Sequence, residues 1–154
     1  MDDFSQLENW LQQYAATLTP PARKKLMMAI MRELRRANAQ RIAANVDPDG
    51  SKFAPRKPRK GKAKRTPGGK AMFRKIRLAR NMKIKADTDE GELGFVNPLV
   101  GKTAAAHHYG QEDYVGKTRD GRTIRARYAE RRLMGFGPDD LRRIMDAAID
   151  HIGK

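Results

Sequence analysis

His107, His108, Glu112 and Asp113 form the one cluster in this 154-residue sequence with metal-ligand or acid–base character. A zinc site needs three or four donors converging on one ion. A helix supplies two of them at i, i+4 spacing, as in HExxH. Here the histidines are adjacent, so their side chains diverge on a helix or a strand. They read as structural histidines hydrogen-bonded near a turn. His151 stands alone near the C-terminus. Gly68-Gly69-Lys70 lacks the upstream glycine of a phosphate loop, and no serine sits in a nucleophile-elbow context. The absence of cysteine excludes disulfides and thiolate metal sites. These residues predict no enzyme, no cofactor and no metal, and point to a binding or assembly protein.

The strongest chemical signal is charge. Between Asp49 and Asp87 there is no acidic residue, but there are fifteen Lys and Arg. Outside that stretch basic and acidic residues balance, so the net charge of +15 is local. Residues 52–70 mix these charges with Pro55, Pro58, Pro67, Gly61, Gly68 and Gly69 and show no periodicity. They read as a solvated, mobile loop inserted between structured parts. Arg56, Lys57, Arg59, Lys60, Lys62, Lys64 and Arg65 are its candidate partner- or DNA-binding residues. Such a block neutralises phosphates without reading bases, or meets an acidic protein surface. No aromatic residue lies between Phe53 and Phe73 to stack single-stranded bases. A solvated loop with no specific partner is the plain alternative.

The rest of the chain supplies the frame. Its length suits one domain, residues 1–154, with a modest core. The acidic N-terminus lacks an apolar signal region, and no apolar run approaches the roughly 20 residues of a membrane span. A cytoplasmic product that does not enter a membrane is expected. Phe4, Leu7, Trp10, Leu11, Tyr14 and Leu18 predict a helix over 3–18. Thr19 is placed to cap a second helix, with Pro20 and Pro21 in its first turn. Leu26, Met27, Ile30, Met31, Leu34, Ala37 and Ile42 stripe that helix to about residue 44. This stripe suits a core or a subunit contact.

Val46 to Ser51 is a dense turn signal, and residues 71–80 suit one or two helical turns burying Phe73 and Ile76. Met82–Ala86 and Glu92–Val96 alternate as the strands of a hairpin around Asp87–Gly91. A short helix over 103–109 and strands flanking Asp120-Gly121 follow, the better one over 123–128. Leu133, Met134 and Phe136 read as an apolar cluster. Gly137-Pro138-Asp139-Asp140 opens a last helix, with Leu141, Ile144, Met145, Ala148, Ile149 and Ile152 as its buried stripe. The expected class is α+β: N-terminal helices, a small antiparallel sheet with a hairpin, a C-terminal helix and the long basic loop inserted.

Five short stretches, in order, resemble the virion-morphogenesis, or tail-completion, family of tailed phages and prophages. Residues 48–55, with Asp49, Gly50 and Phe53, resemble its PDGS-x-[WF]-x-P segment. Residues 70–77, with Met72 and Phe73, resemble K-x-MF-x-x-[LI]-R. Residues 92–95 match a strand ending in GF, and His107, Tyr109 and Gly110 match H-Q-[FY]-G. Arg131, Leu133 and Gly135, followed by Asp139-Asp140-Leu141, resemble a closing ARP-[FL]-LG…DL pattern. Two residues depart from it: His108 stands for the usual Gln and Arg132 for the usual Pro. The resemblance implies a structural protein that completes or caps the tail and helps join it to the head. It implies a homo-oligomeric ring in the virion neck, other tail and neck proteins as partners, and assembly in the host cytoplasm. The cationic segment would then contact packaged DNA or order on a neighbouring protein, with the latter preferred. The alternative is a general basic nucleic-acid-binding protein using residues 52–85.

Overall fold

The computed structural model describes residues 2–56 and 72–152. The expected mobile loop falls outside them from residue 57 on, together with Lys57, Arg59, Lys60, Lys62, Lys64 and Arg65. Four helices and two small antiparallel sheets make an α+β fold, in the order α1 (Asp3–Ala16), α2 (Pro20–Ala44), β1 (Met82–Ala86), β2 (Gly91–Phe95), α3 (Pro98–His108), β3 (Glu112–Lys117), β4 (Thr123–Arg127) and α4 (Asp140–Ile152).

Helix α2 is the axis. Its stripe buries Leu26, Ile30, Met31, Leu34, Ala37, Asn38 and Ile42. Thr19 occupies the N-cap position in extended backbone, but its side chain makes no capping bond; its carbonyl accepts from Arg23 N at 2.9 Å instead. Helix α1 packs through Leu7 onto the cluster that α2 forms with Ile144 and Ala148 of α4. The expected buried stripe of α4 divides here. Ile144 and Ala148 are buried, whereas Met145, Ile149 and Ile152 are 42%, 54% and 48% exposed. Helical periodicity marks the apolar side of a helix but not how much of it a neighbour covers.

The β1–β2 hairpin pairs Met82 with Phe95 and Ala86 with Gly91, and packs across α2. A Cβ on Gly91 would lie 2.6 Å from Met31 Cγ, so glycine permits this close approach. The turn is held by Asp87 Oδ1, which accepts from Asp89 N and Glu90 N at 2.8 Å each. Strands β3 and β4 form a second, separate sheet with an irregularity between Tyr114 and Gly116. The expected single sheet is thus two. Helix α3, which starts at Pro98 rather than near residue 103, packs between them on β2 and β3. Asn97 explains the earlier start, since its side chain accepts from Leu99 N at 2.8 Å as an N-cap. Residues 72–81 are a run of hydrogen-bonded turns, with Arg77 N on Phe73 O and Met82 N on Leu78 O, rather than a helix. The last helix begins at Asp140, after a turn at 138–139, so Pro138 precedes it.

Candidate functional site

The polar cluster read from the sequence is taken apart by the fold. Asp113 pairs with Lys102 of α3 at 3.6 Å, and Glu112 pairs with Arg125 across the hairpin at 3.6 Å. His107 and His108 close helix α3 and diverge. His107 lies between Phe73, met edge-on at a centroid distance of 4.8 Å, and the tilted ring of Tyr128, at 4.0 Å. His108 instead accepts Leu133 N on its Nδ1 at 3.2 Å. Burial lowers the pKa of both below the usual imidazole value, and Arg131 adds to this at His107 and Arg132 at His108. The bond that His108 accepts requires its Nδ1 to be unprotonated, in the same direction as its lowered pKa. Among the described residues no group of His, Asp and Glu can hold a metal ion.

What the fold does bring together is the set of motif segments. Helix α2 ends at Asn45, whose left-handed backbone (φ 57°) lets its N–H close onto the last turn. Its carbonyl accepts Phe53 N at 2.7 Å, and its side-chain Oδ1 accepts Met72 N at 3.0 Å. One residue thereby fastens the chain on both sides of residues 57–71. Phe53 and Met72 are buried in a core with Ile42, Met82, Ala104 and Leu133. Phe53 meets Phe73 edge-on at 6.0 Å, so an aromatic row runs Phe53–Phe73–His107–Tyr128.

Arg131 seals the same joint. It is 5% exposed, and its Nε and Nη2 donate to the carbonyls of Ala54 and Pro55 at 2.8 and 2.9 Å. Its own N–H donates to His107 O at 2.8 Å. Burial and nearby Arg56 lower its pKa, yet a guanidinium keeps its charge. Arg56 itself is exposed where the described backbone stops. The turn before it is internally bonded: Ser51 donates through N and Oγ to Asp49 Oδ1 at 2.9 and 2.6 Å, and Gly50 sits at φ 87°. Those Ser51 bonds lower the pKa of the Asp49 carboxyl.

The closing segment follows the same logic. Asn38 Oδ1 accepts Gly135 N at 3.0 Å, and Arg41 Nη2 donates to Gly135 O at 2.8 Å. Arg41 Nη1 also pairs with Asp140 at 2.9 Å, and the other Asp140 oxygen accepts Gly137 N. Leu133 is buried, but Phe136, expected beside it, is 64% exposed. Both departures from the family pattern have a place here. Arg132 N donates to Asp47 Oδ1 at 3.2 Å, a bond that proline cannot make. His108 Nδ1 does what a glutamine carbonyl can also do. Gly110 has φ 64°, and a Cβ there would come within 3.1 Å of Glu130 N. Tyr109, beside it, is exposed.

Asn38, Arg41 and Asn45 were not singled out by sequence as fastening residues, and Asp140 was read only as a helix opener and motif residue. A signal existed for two of them. Asn38 interrupts the apolar stripe between Leu34 and Ile42 at four-residue steps, and Asn45 stands where a helix meets a turn signal. No helix among the described residues is long and apolar enough to cross a membrane.

The sequence pattern of the phage virion morphogenesis family matches residues 2–153. The chain is also 28% identical over 152 residues to tail completion protein S of Escherichia phage P2, covering 99% of each chain. No solved structure matches it.

Proposed function

Because the chain belongs to the phage virion morphogenesis family, we propose that it is a non-enzymatic structural protein that completes the phage tail and helps join it to the head. The name of its phage P2 relative and the near-complete coverage of both chains support the tail-completion role. The observation that carries the reading is the joint built by the motif residues. Phe53, Met72, Phe73, His107, Gly110, Arg131, Leu133 and Gly135 are spent on packing and on fastening backbone, as a structural protein requires. In this reading the chain forms a ring at the tail end of the neck, in contact with other tail proteins. The chain on either side of residues 57–71 is fixed at Asn45 and Arg131, and the cationic residues Arg56, Lys57, Arg59, Lys60, Lys62, Lys64 and Arg65 are given the partner-binding role. We favour a neighbouring neck or tail protein as their partner over packaged DNA.

The test is made on particles. Mass spectrometry of virions should find this chain at about one closed ring per particle. A variant with residues 56–65 replaced by Gly and Ser should enter particles poorly or leave heads and tails unjoined. Normal infectious yield from that variant would sink the role given to the basic segment. Full salt-sensitive DNA binding by the free chain, with absence from finished particles, would favour the nucleic-acid reading.

A further inference from the structure

Two faces of the molecule are complementary and cannot meet within one copy. On α4, Met145, Ile149 and Ile152 recur at four and three residues and are exposed, with Asp146 and Asp150 exposed beside them. Helix α1, packed against α4, has acidic residues and no Lys or Arg over Asp3–Ala16. Apart from Arg142 and Arg143 in the first turn of α4, this end of the molecule is therefore apolar and acidic. Between α2 and β1 lies a depression with Met28, Ile84 and Val96 in its lining, edged by Arg32, Arg80 and Lys83. Among the described residues none of these three cations forms an ion pair with a carboxylate. Like charges held together on a folded surface repel until a partner neutralises them.

Helix geometry separates the two faces. Arg41 points to α4, because it pairs with Asp140 at 2.9 Å. Arg32 lies nine residues earlier, about two and a half turns, and so on the opposite side of α2. The acidic face of α4 and the basic depression thus lie on opposite flanks of the same helix.

We propose that the apolar, acidic face of α4 in one copy docks into the basic depression between α2 and β1 of the next copy. The contact is head-to-tail, and a head-to-tail contact closes into a ring or runs on as a filament. Nucleic acid would neutralise Arg32, Arg80 and Lys83 but would offer nothing to Met28, Ile84 and Val96. A second copy supplies Ile149 and Met145 for the apolar lining and Asp146 and Asp150 for the cations. The proposal rests on the structural reading above and names the surfaces of its ring.

The absence of cysteine makes the contact testable by cross-linking in the assembled particle. Virions are built with Ile149→Cys and Val96→Cys together in the full chain, and with each alone. Both positions are exposed, at 54% and 49%, so the fold should tolerate either change. Oxidation of particles carrying both should give a ladder of cross-linked chains up to the closed ring, and each single variant should stay monomeric. In parallel, Arg80→Glu with Lys83→Glu should cut incorporation roughly tenfold or more, since like charges then face one another. Asp146→Lys with Asp150→Lys in the same chain should restore it. Dimers from Ile149→Cys alone would replace the proposal with an α4-on-α4 contact. Monomers from the double variant, in particles shown by mass spectrometry to contain the chain, would overturn it and leave the structural role standing. No ladder, with duplex-DNA binding by the wild type that Arg80→Glu and Lys83→Glu abolish, would give the depression to nucleic acid. Absence of the wild-type chain from particles would remove the structural role, and the proposal with it.

Discussion

Helix α2 passes through two cores that are held together in different ways. In its N-terminal half, Leu26, Ile30, Met31 and Leu34 pack with Leu7 of α1 and with Ile144 and Ala148 of α4. This core is mostly helix against helix, with Ile84 and Leu93 of the hairpin packed on it; its side chains are apolar, and the backbones are satisfied within their own helices or hairpin. At the C-terminal end, Ile42 meets Phe53, Met72, Met82, Ala104 and Leu133. Here much of the packing comes from turns and irregular chain, which cannot satisfy their own N–H and C=O groups. Asn38, Arg41, Asn45, His108 and Arg131 do it for them. A non-directional core accepts many shapes of similar volume. A core tied by side-chain-to-backbone bonds needs particular atoms at particular distances. Most of the resembling motif residues fall in or beside the second core, and α4 carries a motif only at its start, Asp140-Leu141.

The comparison breaks first at Asp140. Its carboxylate is 1% exposed and serves both Arg41 and Gly137 N. Asp140→Ala leaves the half-buried Arg41 guanidinium with only Gly135 O, removes the acceptor of Gly137 N, and should cost about 3 kcal/mol in urea unfolding. A loss near that of a surface aspartate would show that the joint is not held as described.

A middle-sized effect comes from Asn45. Asn45→Gly keeps the left-handed backbone and the carbonyl that holds Phe53, but removes the acceptor of Met72 N. It should cost about 1–3 kcal/mol and speed hydrogen exchange at Met72 more than at Phe53. The matching change in the helical core, Leu34→Met, should cost less than about 1.5 kcal/mol. Equal costs at the two sites would erase the distinction between the cores.

The smallest effect is a pH dependence that belongs to the second core alone. Both α3 histidines have pKa values lowered from 6.5, chiefly by burial. The unfolded chain therefore takes up protons at a higher pH than the folded chain does. Their contribution is fully present above pH 6.5 and is lost below it. Melting temperature should drop between about pH 7.5 and about pH 5.5. His108→Gln keeps an acceptor for Leu133 N without a titrating group, and should flatten that drop. An unchanged slope would show that His108 contributes nothing to it.

Much of this was legible in the sequence because it is local. The stripe of α2, the hairpin strands around Asp87–Glu90 and strand β4 follow from periodicity and turn residues, and the observed elements lie within a few residues of those readings. The motif stretches pointed to the right part of the molecule, and Phe53, Met72 and Leu133 are buried there. Other features depend on what lies across the fold. Phe136 has the same apolar character as Leu133, yet one is exposed and the other is not, because only Leu133 faces the second core.

Composition and spacing alone determined the class of the fold and the concentration of positive charge between Asp49 and Asp87, and the motif stretches carried the resemblance to the family. These are properties of neighbours along the chain, or sums over it. The tertiary structure decided that Asn45 fastens both sides of residues 57–71, that Asp113 turns to Lys102 rather than to the histidines, and that half the apolar stripe of α4 is exposed. Each of these depends on residues that are far apart in sequence and brought within a few ångströms by packing, and no local pattern encodes that distance.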